Sequence, residues 1–239
     1  MTLISSARPG LVREFIDIIT NVAVPHQEPR ATVHRRRIVV AVVLVLGIVL
    51  LSYLFTRERD DESFCLLAVA AAALWSVGAL VSGPLHLGGV RFRGRNERPV
   101  FTGTGVGLVL GAVFLLGGVV VSKIPPLTAQ ISAMLNHVDE VSWRLVVLVV
   151  ILNAIAEEMF FRGALYTVFE RRMPLLSSTL LYVLAMMVGL NIMVGVAALV
   201  LGTVCGIERR ATGGVLAPVL THLVWGLMMV LALPPIFGQ

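Results

Sequence analysis

Three ionisable side chains lie close together in an otherwise apolar stretch, LNAIAEEMFFRGAL (residues 152–165). Each charge at the centre of a membrane helix costs about 2.5–3.5 kcal/mol, so Glu157, Glu158 and Arg162 indicate a site or a buried polar network. On a helix of 3.6 residues per turn, Glu158 and Arg162 share a face, whereas Glu157 points about 100° away and lines up with Asn153. We therefore expect a Glu158–Arg162 ion pair, with Glu157 left as a candidate base for accepting a proton from water.

A fourth candidate is His222 in the stretch APVLTHLVWG, the one histidine that falls inside an apolar run. A histidine within a membrane span often only hydrogen-bonds between helices. Paired across a bundle with Glu157, it could instead polarise a water or a carbonyl group, or bind a metal ion. The residues alone leave open whether these groups do chemistry or form a network that holds helices together.

The elements that position these residues must be membrane helices. The chain is 57% apolar and 14% charged, and its mean hydropathy is +0.92, far from the values of a soluble domain. Apolar runs approach or exceed the ~17–25 residues that cross a bilayer as a helix. The sequence therefore predicts an all-α, polytopic bundle of about seven transmembrane helices. The predicted spans are 38–55, 64–83, 103–121, 143–169, 175–190, 192–207 and 215–233.

The polar segments divide the chain into three parts. Residues 1–37 are expected to hold an interfacial helix and a basic linker, residues 38–142 the N-terminal transmembrane helices and loops, and residues 143–233 the core helices. An apolar face at helical spacing places the interfacial helix on the inner leaflet, and a shorter amphipathic helix is expected on the outer surface. The first face consists of Leu11, Phe15, Ile18, Ile19 and Val22, and the second of Ile131, Leu135 and Val138.

Basic residues are concentrated on one side of this topology. Loops assigned alternately give 14 basic residues on one side and 4 on the other, with Arg162 inside a span. Cytoplasmic loops carry the excess of arginine, so the N-terminus is placed in the cytoplasm. The basic residues are expected to contact lipid headgroups, and nucleic acid is not implied. The 14 are Arg8, Arg13, Arg30, Arg35, Arg36, Arg37, Arg91, Arg93, Arg95, Arg98, Arg171, Arg172, Arg209 and Arg210.

Two further features bear on compartment. Arginine outnumbers lysine 18 to 1, which is typical of GC-rich bacterial genomes and favours a bacterial cytoplasmic membrane. Cys65 and Cys205 both fall inside predicted spans, where isolated cysteines are expected to be small core residues rather than a disulfide.

The two polar motifs resemble those of a known family. The segment EEMFFR matches the E-E-x-x-x-R motif of the CPBP intramembrane proteases, also called the ABI or CAAX-protease family, and GGVLAPVLTHLVWG is similar to the family's last motif. The resemblance covers residues 143–229. It implies a helical bundle with a cavity open toward the cytoplasm, and an endopeptidase in which a glutamate activates water.

Carried over by position, the resemblance assigns the catalytic set to Glu157, Glu158, Arg162 and His222, with Glu157 as general base. His222 would polarise the substrate or, with Glu157, bind a divalent metal such as zinc. The chain departs from the family at two positions: Met186 stands where a histidine is expected and Gly226 where Asn or Asp is usual. Neither can donate a hydrogen bond as imidazole and amide do, and a thioether is a poor zinc ligand.

Three hypotheses follow from the sequence. The first is an active intramembrane endopeptidase, in which Asn153 or Tyr182 supplies a missing donor. The second is a catalytically silent relative that binds a membrane protein or peptide as a scaffold or immunity protein. The third is a small transporter whose carboxylates relay protons, and the E-E-x-x-x-R match disfavours it.

Overall fold

The computed structural model describes residues 20–24, 28–56, 61–92, 95–135, 142–170 and 172–238. Throughout these ranges the chain is built from helices, as expected for an all-α fold, with one short β-hairpin of β1 (Val90–Phe92) and β2 (Arg95–Glu97). The helices are α1 (Arg30–Thr56), α2 (Asp61–Ser82), α3 (Val100–Val121), α4 (Pro125–Leu135), α5 (Trp143–Glu158), α6 (Pro174–Met186), α7 (Ile192–Thr212) and α8 (Leu216–Ala232). Helix α5 runs on into a π-helix, Met159–Leu165, and one further α-helical turn, Tyr166–Val168.

Several of these helices are long and apolar enough to cross a membrane. Among the described residues, four helices meet that criterion by length and composition, and two shorter ones, Pro174–Gly189 and Leu216–Ala232, are also apolar. The chain is therefore a multi-pass membrane protein, while the predicted number of about seven spans stays a prediction. The four are Arg30–Phe55, Phe64–Ser82, Val100–Val121 and Ile192–Thr212.

The first helix begins earlier than expected, at Arg30 rather than Ile38. His34, expected in a polar segment, and the three arginines that follow it are therefore helical. Arg36 is only 2% exposed; it donates from Nε to Glu28 at 3.1 Å and from Nη1 to the Ser82 hydroxyl at 3.2 Å. The expectation that this arginine contacts lipid headgroups is wrong, because a carboxylate and the end of α2 bind its guanidinium inside the protein.

The sixth predicted span was also too short. It was expected to end at Ile207, which put Arg209 and Arg210 in a loop, but α7 continues to Thr212. Glu208 and Arg209 are 7% and 4% exposed, whereas Arg210 is exposed. The loop assignment of Arg209 is therefore wrong. The charge of Arg209 was taken to mark the end of the span, although the helix continues past it and the side chain is buried.

Hydrogen bonds attach the segments before α1 and after α2 to the end of α7 and the turn that follows it. The amide of Val215 donates to the His86 carbonyl at 2.9 Å, and the amide of Gly89 donates to the Thr212 carbonyl at 2.9 Å. Before α1, Asn21 donates from Nδ2 to the Ala211 carbonyl at 2.6 Å. The hairpin in the loop after α2 was not predicted.

The predicted surface helices are only partly covered by the described residues. Leu11, Phe15, Ile18 and Ile19 lie outside them, and Val22 is 65% exposed in a segment without regular structure. Helix α4 includes Ile131 and Leu135, while Val138 lies outside the described part of the chain.

Glycines allow α3 to lie against α8 at close range. A Cβ at Gly103 would be 2.6 Å from the Ala217 carbonyl oxygen, and one at Gly107 would be 2.8 Å from that of Thr221. Such distances are too short for any side chain, so the two helices meet backbone to backbone, as in other small-residue membrane contacts.

An aromatic cluster fills the core behind the charged residues. Trp75 of α2 is fully buried, with its ring centroid 4.6 Å from that of Phe160 and 5.2 Å from that of Phe161. These tilted contacts fix the first turn of the π-helix against α2. Both cysteines are buried, as predicted for small core residues.

Candidate active site

The predicted ion pair is present in the core. Arg162 donates from Nη1 to Glu158 Oε1 at 2.9 Å, and both side chains are fully buried. The same carboxylate oxygen lies 2.9 Å from His222 Nδ1. The sequence suggested His222 as a partner of Glu157 across the bundle; α8 places its Nδ1 in direct contact with Glu158. One carboxylate oxygen therefore binds a guanidinium from its own helix and an imidazole from α8.

The other glutamate has a different environment. Glu157 is partly exposed, and its Oε2 accepts a 2.8 Å hydrogen bond from the Tyr182 hydroxyl of α6. Of the two residues proposed to supply a missing donor, Tyr182 contacts Glu157. Asn153 instead donates to the carbonyls of Val149 and Ala68, at 3.0 and 3.3 Å. The two adjacent carboxylates thus differ in partners and in exposure.

Arg162 and Tyr182 also contact each other. The guanidinium carbon lies 4.5 Å from the centroid of the phenol ring, a cation–π arrangement. Gly202 of α7 makes room for both, because a Cβ there would be 3.2 Å from Arg162 Nη2 and 3.2 Å from Tyr182 Cδ1. Tyr182 therefore links the two glutamates: its hydroxyl contacts Glu157 and its ring contacts the arginine that binds Glu158.

The π-helix begins at the residue after the glutamate pair. π-Helical segments are rare and are frequent at functional sites. Gly163 within it contacts the loop after α2 closely, since a Cβ would be 2.8 Å from Leu85 Cδ2. Before the site, α5 is an ordinary apolar helix, so the irregular geometry is confined to the turn that carries Arg162.

The two departures from the family pattern lie in apolar surroundings. Met186 is partly buried and packs against the main apolar core. Gly226 is buried, and a Cβ there would be 3.1 Å from Val150 Cγ1. Glycine at this position thus allows α8 to approach α5, and neither residue brings a hydrogen-bond donor to the site.

A further buried carboxylate was missed by the sequence analysis. Glu208 Oε1 lies 2.9 Å from the Thr221 hydroxyl, which is also 2.9 Å from the Gly103 carbonyl oxygen. Glu208 comes three residues after the buried Cys205, so a helix extended by one turn would have placed both on one face. Because the span was ended before the charge of Glu208, its position on the same helix face as Cys205 was not noticed.

The donor set does not fit a zinc ion held by the protein. Zinc is usually bound by three or four side chains of His, Cys, Asp or Glu. Over the described ranges no group of three such residues is placed to hold a metal. Glu157 and His222, the two expected ligands, bond instead to Tyr182 and Glu158. No chemical step below depends on a metal.

Comparison with known families gives a match over the part of the chain that holds the site. Residues 139–228 match the model of a family described as Rce1-like: type II CAAX prenyl endopeptidase Rce1-like. The matched segment, less than half of the 239 residues, includes α5, the π-helix, α6, α7 and most of α8. Comparisons with curated proteins and with solved structures gave no match. The family match confirms the resemblance inferred from the two motifs.

Proposed function

From the match of residues 139–228 to the CAAX-protease family, we propose that this chain is an intramembrane endopeptidase in which Glu157 activates water. The observation that carries the proposal is the difference between the two glutamates. Glu158 is fully buried and bonded to Arg162 and His222, whereas Glu157 is partly exposed and, among the described residues, its Oε2 is bonded to Tyr182. Glu157 therefore has an oxygen with which to accept a proton.

The reaction follows from these contacts. The Tyr182 hydroxyl orients the carboxylate of Glu157, and the other oxygen takes a proton from water as the water oxygen attacks the scissile carbonyl carbon. The carbon–nitrogen bond then breaks, and Glu157 returns the proton to the leaving amine. Water is consumed, and a carboxylate and an amine are released.

His222 is the candidate donor to the negative oxygen that forms during attack. Its Nδ1 is bonded to Glu158, so it must donate through Nε2. A histidine that donates from both nitrogens is an imidazolium, and the buried carboxylate of Glu158 stabilises that charge. Arg162 is paired with Glu158, and in this way the ion pair supports the histidine without touching the substrate.

We place this chemistry at the cytoplasmic side of a bacterial membrane. The excess of basic residues puts the N-terminus in the cytoplasm, and α5 then runs inward, with Glu157 in its inner half. Lipids surround the bundle, and the substrate is a peptide or a membrane protein.

A second candidate function is a silent relative that binds a protein partner. It is favoured by Met186 and Gly226, which leave the site without two polar groups that the family pattern has. In this case Glu157, Tyr182 and the Glu158–Arg162 pair would shape a binding surface in the bundle. This second function differs from the first in that replacing Glu157 by its amide would leave the proteome unchanged.

Mapping of protein termini in membranes separates the two functions. We would compare wild type, a deletion strain, Glu157→Gln and Glu97→Gln, with equal expression checked by immunoblotting. Glutamine keeps an acceptor for Tyr182 but does not accept the proton, and Glu97 is an exposed hairpin residue that serves as a matched control. New termini that occur in wild type and Glu97→Gln, and are lost in the deletion strain and Glu157→Gln, are the expected result. Identical termini in all four strains would favour the silent relative.

A further inference from the structure

Three consecutive carbonyl groups of the π-helix accept hydrogen bonds from side chains. The Phe161 carbonyl accepts from the Ser178 hydroxyl at 2.8 Å, the Arg162 carbonyl from Arg209 Nε at 2.9 Å, and the Gly163 carbonyl from the Thr167 hydroxyl at 2.7 Å. The Phe161 carbonyl also accepts from the Tyr166 amide, five residues on, as a π-helix requires. A carbonyl oxygen has two lone pairs, so both bonds form together.

Two of these donors come from other helices. Ser178 lies on α6 and Arg209 on α7, and they are 1% and 4% exposed. The Arg209 guanidinium also lies 5.0 Å from the centroid of the Tyr166 ring, which keeps its plane fixed. Buried bonds of this kind are stronger than exposed ones and leave costly unpaired groups when broken. The π-helix is thus tied to both neighbouring helices at adjacent residues.

The residue held in this way is the one that binds Glu158. The backbone of Arg162 bonds to Arg209, and its side chain bonds to Glu158 Oε1. A shift of this turn would move the guanidinium relative to Glu158 and to the ring of Tyr182. We propose that Ser178 and Arg209 are positioning residues, which hold the π-helical turn so that Arg162 points at Glu158. This inference rests on the proposed function for its catalytic consequence, but not for its geometry.

The test measures the Glu158 carboxyl directly, so it does not depend on activity. Purified protein is treated with dicyclohexylcarbodiimide, which modifies carboxyl groups in apolar surroundings that are not held in an ion pair, and the modified fraction of Glu158 is measured by peptide mass spectrometry. The variants are Ser178→Ala and Arg209→Lys. Ser177→Ala and Arg210→Lys are matched controls at the neighbouring positions, and Ser178→Thr retains the hydroxyl. Variants are compared only as monodisperse, folded protein.

Displacement of Arg162 breaks a charge-assisted bond to Glu158, which changes the equilibrium between the bonded and the unbonded carboxyl by about tenfold or more. We expect modification of Glu158 to rise by about that factor in Ser178→Ala and Arg209→Lys. Wild-type modification is expected in the two controls and in Ser178→Thr. Unchanged modification in both Ser178→Ala and Arg209→Lys, or an equal rise in the controls, would overturn the inference. If Ser178→Ala does not fold, the inference is decided by comparing the modification of Glu158 in Arg209→Lys with that in Arg210→Lys.

Peptide cleavage by the same proteins gives the second readout. A positioning role predicts a fall in kcat of about tenfold or more with little change in KM, because orientation of reacting groups is lost while substrate binding is not. If wild-type protein cleaves nothing, the proposed function fails, yet the modification of Glu158 still decides whether Ser178 and Arg209 hold the turn.

Discussion

Replacing Arg162 by methionine should destabilise the protein by leaving a buried charge without its main partner. Glu158 is fully buried, and its Oε1 has two partners at 2.9 Å, Arg162 Nη1 and His222 Nδ1. Breaking a buried ion pair from one side costs about 3–5 kcal/mol. Loss of the cation–π contact with Tyr182 adds about 1 kcal/mol. The expected loss in the free energy of unfolding is therefore about 4–6 kcal/mol.

A double-mutant cycle adds a second mutation, Glu158→Gln, which removes the carboxylate charge that has lost its partner. In the double variant Glu158→Gln, Arg162→Met, the amide needs no counter-charge. We expect it to recover at least about 2 kcal/mol relative to Arg162→Met alone. Arg172→Met, at an exposed position, is the control for loss of an arginine as such.

The free energy of unfolding would be measured by reversible denaturation in mixed micelles, with helicity as the signal. The cycle requires all four proteins to unfold in one transition with similar slopes. Additive effects, with the double variant as unstable as the sum of the single ones, would refute the idea that Arg162 is present to neutralise Glu158.

Two shorter predictions concern packing and the orientation of Glu157. Gly107→Ala should lower the free energy of unfolding by about 1–3 kcal/mol, because its Cβ would be 2.8 Å from the Thr221 carbonyl oxygen. The control Gly117→Ala should be neutral, since a Cβ there has nothing within 4 Å. Equal effects of the two variants in thermal melts would contradict the close packing of α3 on α8. Tyr182→Phe removes the donor to Glu157 and should reduce peptide cleavage by about tenfold or more without loss of fold; wild-type cleavage rates would contradict a role for this hydroxyl.

The sequence carried much information about the ion pair and little about what lies across the bundle. The Glu158–Arg162 contact is local, four residues apart on one helix, and helical geometry alone predicts it. The His222 contact depends on how α8 packs on α5, and the sequence pattern suggested Glu157 as its partner, whereas Nδ1 contacts Glu158. Glu157 and Glu158 point about 100° apart around their helix, so which of them faces His222 depends on how that helix is rotated. Hydropathy carries no information on that rotation.

Helix ends and buried arginines were harder to predict for another physical reason. Hydropathy ends a span at the first charges, so α7 was expected to stop before Arg209, and α1 was expected to begin after Arg36. Both arginines are instead buried by specific partners: the Arg162 carbonyl for Arg209, and Glu28 with Ser82 for Arg36. Hydropathy does not show these partners, because most of them are distant in sequence and Glu28, although near Arg36, lies before the predicted span. The π-helix after Glu158 likewise has no sequence signal that the apolar pattern could reveal.

The role of Glu157 is tested most directly by hydrolysis with purified protein in liposomes, using a substrate identified from the mapped termini. Wild type, Glu157→Gln and the control Glu97→Gln would be compared for product formed per unit time. A general base contributes about 10²–10⁴-fold to such a rate. We therefore expect a loss of that size in Glu157→Gln and none in Glu97→Gln. Cleavage by folded Glu157→Gln at the wild-type rate would contradict the claim that Glu157 activates the water.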